Sequence, residues 1–138
     1  MNRFDITHLE VARVYSTLST AQRAKVGCII VKDNRIISIG YNGTPSGWSN
    51  ICEDENNETK PEVLHAETNA IAKLASSNES GKDATLYCTH SPCLQCSKLI
   101  YQSGITRVVY ETDYACRQGP DFLNKAGIKV EGLYDAVS

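Results

Sequence analysis

Long apolar runs are missing from this chain, and so is any large excess of charge of one sign. No stretch approaches the roughly 20 apolar residues that a bilayer-crossing helix needs, which excludes a transmembrane role. The opening Met1-Asn2-Arg3-Phe4-Asp5 lacks the apolar core of a secretory signal, so a cytoplasmic protein is expected. The formal net charge is only −2, which provides no general attraction to nucleic-acid backbones or anionic membranes. Internal repeats and low-complexity linkers are absent as well, and 138 residues fit one domain, residues 1–138, around one sizeable core. With 41% hydrophobic and 22% charged residues the chain is expected to fold rather than stay disordered.

Cysteine is not scarce: it stands at 28, 52, 88, 93, 96 and 116. A cytoplasmic setting keeps thiols reduced, so these read as metal ligands or small buried apolar groups rather than disulfides. Cys28 and Cys88 fall in predicted strands and read as core. Cys52 and Cys116 fall in loops with no local partner motif.

Thr7-His8-Leu9-Glu10 has the form of a capping box, with Thr7 as N-cap of a first helix ending near Leu18 and His8 on its surface. Residues 26–31 and 36–41 read as strands joined by the turn chemistry of Lys32-Asp33-Asn34-Arg35. Both are apolar on consecutive positions, which implies a sheet covered on both faces. Residues 43–62 read as one long loop, a length that usually signals function. A second helix is predicted over Leu64–Ala75 and a third strand over Thr85–Cys88. A third helix, with Ser91 as N-cap and Pro92 at its first position, reaches about Gln102. A strand over Arg107–Tyr110, a helix near Asp121–Ala126 and a strand over Ile128–Val130 follow. Helices alternating with strands predict an α/β fold, a three-layer sandwich.

The chemistry sits in His65-Ala66-Glu67 followed by Pro92-Cys93-Leu94-Gln95-Cys96, the H-x-E…P-C-x-x-C signature of zinc deaminases. Cys93 and Cys96, three residues apart at a helix start, direct both sulfurs to one face. There the helix dipole favours their thiolate forms. With His65 they make three ligands for Zn²⁺, leaving the fourth tetrahedral position for water. Two thiolates and a neutral imidazole bring Zn²⁺ to zero net charge, and Glu67 stands close enough to accept a proton from that water. Glu67 is then the proton shuttle between water, the pyrimidine N3 and the departing amine, while C4 is attacked. Closed structural zinc sites usually have four protein ligands; His90, the nearest candidate for a fourth, reads as part of the wall.

Arg23-Ala24-Lys25-Val26-Gly27, Gly40-Tyr41-Asn42-Gly43-Thr44-Pro45-Ser46-Gly47, Val63-Leu64-His65-Ala66-Glu67 and Thr89-His90-Ser91-Pro92-Cys93-Leu94-Gln95-Cys96 together resemble the deoxycytidylate (dCMP) deaminase family over nearly the whole chain. The zinc motif marks the wider cytidine deaminase superfamily, and the Gly-Tyr-Asn-Gly segment narrows the match. The resemblance implies a five-stranded mixed sheet with helices on both faces, and hydrolysis of dCMP to dUMP and ammonia, which feeds thymidylate synthesis. It also implies that Asn42 contacts the sugar hydroxyl, the Ala66 N–H holds the pyrimidine O2, and the Ser91 carbonyl accepts from the 4-amino group. Arg23, Tyr114 and Arg117 map to phosphate and sugar contacts. Members are commonly hexamers activated by dCTP and inhibited by dTTP. Gly43, Ser46, Gly47 and Cys52 lie in the segment that resembles the effector site, where Mg²⁺ would accompany a triphosphate. A phage-encoded member would act in the host cytoplasm. Many members carry a cysteine in a Ser-Thr-Cys sequence, some using it for a second zinc; here Ala21 stands in that place.

Rival readings leave different marks. A cytosine-nucleotide deaminase acting also on dCTP would share every motif above. A tRNA adenosine deaminase would be expected to carry a basic stripe or stacking aromatics, whereas Glu53, Asp54 and Glu55 make the long loop acidic. A zinc-stabilised interaction module would have no use for Glu67.

Overall fold

The computed structural model describes residues 1–114 and 116–133. Helix α1 (Arg3–Ser16) leads into the hairpin β1 (Gly27–Lys32) and β2 (Arg35–Tyr41). Then come α2 (Ala66–Ala75), β3 (Thr85–His90), α3 (Leu94–Gln102), β4 (Arg107–Thr112), α4 (Gln118–Lys125) and β5 (Lys129–Gly132). The strands form one mixed sheet in the order β2-β1-β3-β4-β5. β1 runs antiparallel to β2 and β3, while β3, β4 and β5 run parallel. The expected five-stranded α/β sandwich is what is found.

Alternation along the strands builds a core on each face. Cys28 and Ile30, Leu86 and Cys88, and Val108 pack against Ala66, Ala70 and Leu74 of α2, Ile100 of α3 and Leu123 of α4. Their neighbours Ile29, Val31, Tyr87 and Val109 face the other way, under Leu9 and Ala12 of α1. The sheet therefore lies between α1 and the other three helices, and the apolar runs in β1 reflect burial on both sides. Both buried cysteines, 28 and 88, belong to the first core and face each other across β1 and β3.

The hairpin turn is made by Asp33 and Asn34, at φ 51° and 60°. Two consecutive left-handed residues are what a two-residue primed turn demands, and Asp and Asn tolerate that region best after glycine. Gly40 serves a different need. A Cβ there would stand 2.2 Å from the Ala66 carbonyl oxygen, so glycine lets the first turn of α2 rest directly on β2.

Local capping departs from expectation in two places. α1 is capped by Asn2, whose side chain accepts from the Asp5 N–H while the Asp5 carboxylate accepts from the Asn2 N–H. That earlier capping box starts the helix upstream of Thr7, whose hydroxyl instead donates to the Arg3 carbonyl inside the helix. α3 is capped by Cys93, not Ser91: its sulfur accepts from the Cys96 N–H at 3.4 Å, and the Ser91 hydroxyl accepts from the Tyr114 N–H. His8 lies at the surface as expected but is half-buried, its ring 4.9 Å from that of Tyr87. The long loop is also more built than its composition suggests. Bridges join Gly43 to Leu64 and Glu53 to Thr59, and the Asp54 carboxylate accepts from the N–H groups of Asn56 and Glu58. Among the described residues, no helix is long and apolar enough to cross a membrane.

Candidate metal and nucleotide site

Two helix starts converge beside the C-terminal end of β3. His65 is the N-cap residue of α2 and Cys93 that of α3, with Cys96 in the first turn of α3. The His65 Nδ1 lies 3.5 Å from the Cys93 sulfur and 3.4 Å from the Cys96 sulfur. All three donor atoms fall within 4.8 Å of one another, and this is the metal-type cluster found among the described residues. The Thr68 hydroxyl is 3.4 Å from the Cys96 sulfur, giving that ligand a polar neighbour on the next turn of α2.

The charges of this cluster match its geometry. Donation from the Cys96 thiol, then from His65, takes the Cys93 thiol down to about 3. Cys96 is driven up, first by that same contact and then by burial. His65 is raised, chiefly by its contact with the Cys93 sulfur. The protein alone thus stabilises one thiolate; bringing both sulfurs to thiolate in so small a space calls for a cation. Two soft sulfurs and an imidazole suit Zn²⁺. The donor set fits the metal, and three donors leave a position for water.

Glu67 lies one residue inside α2 and is only 4% exposed. Burial raises its carboxyl above the usual range; the nearby His65 pulls it back and Cys93 pushes it further up. A buried acid with a raised proton affinity, next to a three-donor cluster, is the kind of group found where protons are transferred.

The cluster opens into a cavity of about 450 Å³, a size suited to a small ligand. Of the residues singled out from the sequence, Arg23, Asn42, His65, Ala66, Glu67, Ser91, Cys93 and Tyr114 line it. Cys96 closes the metal cluster from behind, buried at 2%. Ala66 opens α2, where helix geometry leaves its N–H directed out of the helix end. Asn42 is already employed: its amide oxygen accepts from the Val26 N–H and its nitrogen donates to the Ala24 carbonyl, both at 2.8 Å. It therefore shapes the wall, with one amide hydrogen and one lone pair left over. Arg23 stands at the mouth, half-exposed, 3.4 Å from the Glu58 carboxylate. Tyr114 is 55% exposed at the rim. His90 takes a place in the wall, outside the donor cluster.

Other expected residues stand elsewhere. Arg117 lies outside the cavity lining, paired with Asp113 and donating to the Tyr110 hydroxyl. Gly43, Ser46, Gly47 and Cys52 also lie outside it. Gly43 pairs with Leu64, Gly47 turns at φ 86°, and Cys52 is buried with its sulfur 3.5 Å from the Thr20 hydroxyl. Sequence reading misses Glu53, which lines the cavity 8% exposed. The sequence marks it only as one of three loop acids, and no local pattern marks its contact with residues about 30 positions away. The rear of the metal loop is set by Gly119 of α4. A Cβ there would come within 1.9 Å of the Pro92 carbonyl oxygen.

Comparison with known proteins agrees with this geometry. Residues 3–112 match the model of the cytidine and deoxycytidylate deaminase zinc-binding region. The deoxycytidylate deaminase of Enterobacteria phage T4 is 35% identical, over 90% of this chain and 86% of its own. The deoxycytidylate deaminase of Saccharomyces cerevisiae is 36% identical over 92% of this chain, which spans only 44% of that longer protein. The crystal structure of dCMP deaminase from cyanophage S-TIM5, in complex with dCMP and dUMP, superposes with a TM-score of 0.93 at 44% identity, covering 96% of this chain and 99% of that one. A tRNA adenosine deaminase structure, at 22% identity and TM-score 0.63, shares the fold alone. The chain belongs to the deoxycytidylate deaminase family, within the zinc-binding region that cytidine and deoxycytidylate deaminases have in common.

Proposed function

We propose that this chain is a single zinc-dependent deaminase domain, residues 1–138, that hydrolyses dCMP to dUMP and ammonia in the cytoplasm. One observation carries the reading: an open three-donor cluster of His65, Cys93 and Cys96 shares a cavity with the buried acid Glu67. The near-complete overlap with a dCMP deaminase bound to dCMP and dUMP supports the choice of substrate.

Zinc, when bound by these donors, supplies the positive charge that makes water acidic enough to attack at neutral pH. Glu67 takes the proton that water releases and delivers it to N3 of the pyrimidine. As C4 gains oxygen, Glu67 moves a second proton to the amine, which leaves as ammonia. Its raised affinity for a proton suits a group that must accept and donate in turn. The Ala66 N–H at the start of α2 holds the pyrimidine O2. The Ser91 carbonyl, on the segment between β3 and α3, accepts from the 4-amino group. Asn42 faces the sugar with its remaining hydrogen-bonding capacity. Arg23 and Tyr114, both in the cavity lining, receive the phosphate, and Arg117 contributes from outside the wall.

Hexamer formation belongs to the same reading. So does regulation by dCTP, with Mg²⁺, and by dTTP through Gly43, Ser46, Gly47 and Cys52; its support is the resemblance of that loop to the family's effector segment. Metal analysis and turnover against cytidine, CMP, dCMP and dCTP, with and without dTTP, test the whole reading. About one zinc per chain and preference for dCMP are expected. Full activity in metal-free protein would overturn it.

A further inference from the structure

We infer that Glu53 is the positioning residue for nucleotide selection: it holds the Gln22–Arg23 backbone so that Arg23 meets the substrate's phosphate. The inference rests on the dCMP reading above. Arg23 belongs to the connection between α1 and β1, which has no regular structure from 17 to 26 to hold it. A charged side chain on an irregular segment recognises an anion well only if its backbone is held.

The holding comes from the long loop. One carboxylate oxygen of Glu53 accepts from the Gln22 N–H at 2.9 Å and the Arg23 N–H at 3.3 Å. Glu53 is itself fixed, through its bridge to Thr59. On the next turn of chain, the Thr20 hydroxyl donates to the Asn50 carbonyl at 2.6 Å. Two segments about 30 residues apart are thus joined at the cavity wall. A surface acid would serve solubility; this one is 8% exposed and has its charge answered by backbone donors. At the other end, the exposed Glu58 pairs with the Arg23 guanidinium. Glu53 sets where Arg23 begins, and the phosphate replaces Glu58 where it ends.

The zinc-loaded enzyme and its variants decide this through steady-state kinetics with dCMP. Glu53→Ala should raise KM by about ten- to a hundredfold with kcat within about threefold. Zinc content should be unchanged, because the metal cluster lies on α2 and α3. Glu53→Gln keeps an acceptor oxygen and should restore KM to near the wild-type value. In an Arg23→Ala background, Glu53→Ala should change KM by less than about twofold, since the residue acts through Arg23. Should Glu53→Ala fail to fold, Glu53→Asp, one methylene shorter, should show the same raised KM. An unmoved KM in a folded Ala or Asp variant overturns the inference. So does a Gln variant as impaired as Ala, which would assign the effect to charge, or a full effect in the Arg23→Ala background. Wild-type protein that does not turn over dCMP would overturn the functional reading itself, a different failure.

Discussion

Asp5 and Glu67 are both buried carboxylates, 2% and 4% exposed, at two separate clefts of the same sheet, yet they are treated in opposite ways. Asp5 has a full set of donors. Arg107 grips it with two hydrogen bonds of 2.8 Å, the Tyr87 hydroxyl donates at 2.7 Å, and the Asn2 N–H donates at 3.0 Å. Led by Arg107, these hold its carboxyl well below the usual carboxylate range despite burial. For Glu67, burial is the leading influence and pushes its carboxyl the other way. Equal burial therefore leaves one carboxyl with a lowered affinity for its proton and the other with a raised one, and the partners decide which.

The largest effect that would break this contrast is on catalysis. Glu67→Gln keeps the size and removes the proton carrier. Turnover of dCMP should fall by about 10⁴-fold or more, beyond the range of a single acid–base step, because one group serves several transfers. Zinc content and dCMP binding should persist, as read by metal analysis and calorimetry on one preparation. Loss of zinc with activity would make Glu67 a ligand or a support instead.

Asp5→Ala should do the reverse, costing stability and sparing the chemistry. Removing one partner of a buried, hydrogen-bonded pair costs about 3–5 kcal/mol. Arg107 is 23% exposed and can recover some hydration, so the lower end, about 3 kcal/mol, is expected. Thermal unfolding should shift down by roughly 6–12 °C. Activity per folded molecule should be unchanged; a loss comparable to that of Glu67→Gln would show the two clefts to be coupled.

Acid sharpens the same comparison. The folded Asp5 binds its proton more weakly than the unfolded chain does, so its stabilisation is complete above the unfolded value of about 3.9. It is lost as pH falls from there toward the depressed folded value. Urea midpoints between pH 6 and pH 3 should drop more steeply for wild type than for Asp5→Asn, since other carboxylates and the metal ligands are common to both. Parallel curves would remove Asp5 as the source. The smallest effect belongs to the cap that aims Asp5: Asn2→Ala should cost about 1 kcal/mol. A denaturant melt with no shift would show that the capping box adds nothing once Arg107 is in place.

Legibility followed the distance over which each feature is made. The grouping of His65, Cys93 and Cys96 was readable because their spacing is local and their chemistry narrow. The order of elements was readable for the same reason, from periodicity and turn residues such as Asp33 and Asn34. Helix starts were less so. Thr7 offers a sound capping pattern, but Asn2 offers another one five residues earlier, and Tyr87 and Arg107 hold Asp5 in that earlier box from across the fold. Ser91-Pro92 is a good helix opening that lost to Cys93, whose sulfur caps α3 while the Ser91 hydroxyl serves Tyr114. Glu53 was invisible as an individual because both of its partners are backbone N–H groups, which every residue but proline has.

The family match ends at residue 112, yet Gly119 presses on the Pro92 carbonyl with no room for a methyl group. The loop that carries the cysteine donors therefore has a back wall beyond the stretch by which its relatives are recognised. A swap of domains or a shortened version cut at the end of β4 would keep every ligand and lose the surface against which the cysteine loop is formed. For anyone transplanting this site into another scaffold, the unit to move runs through α4.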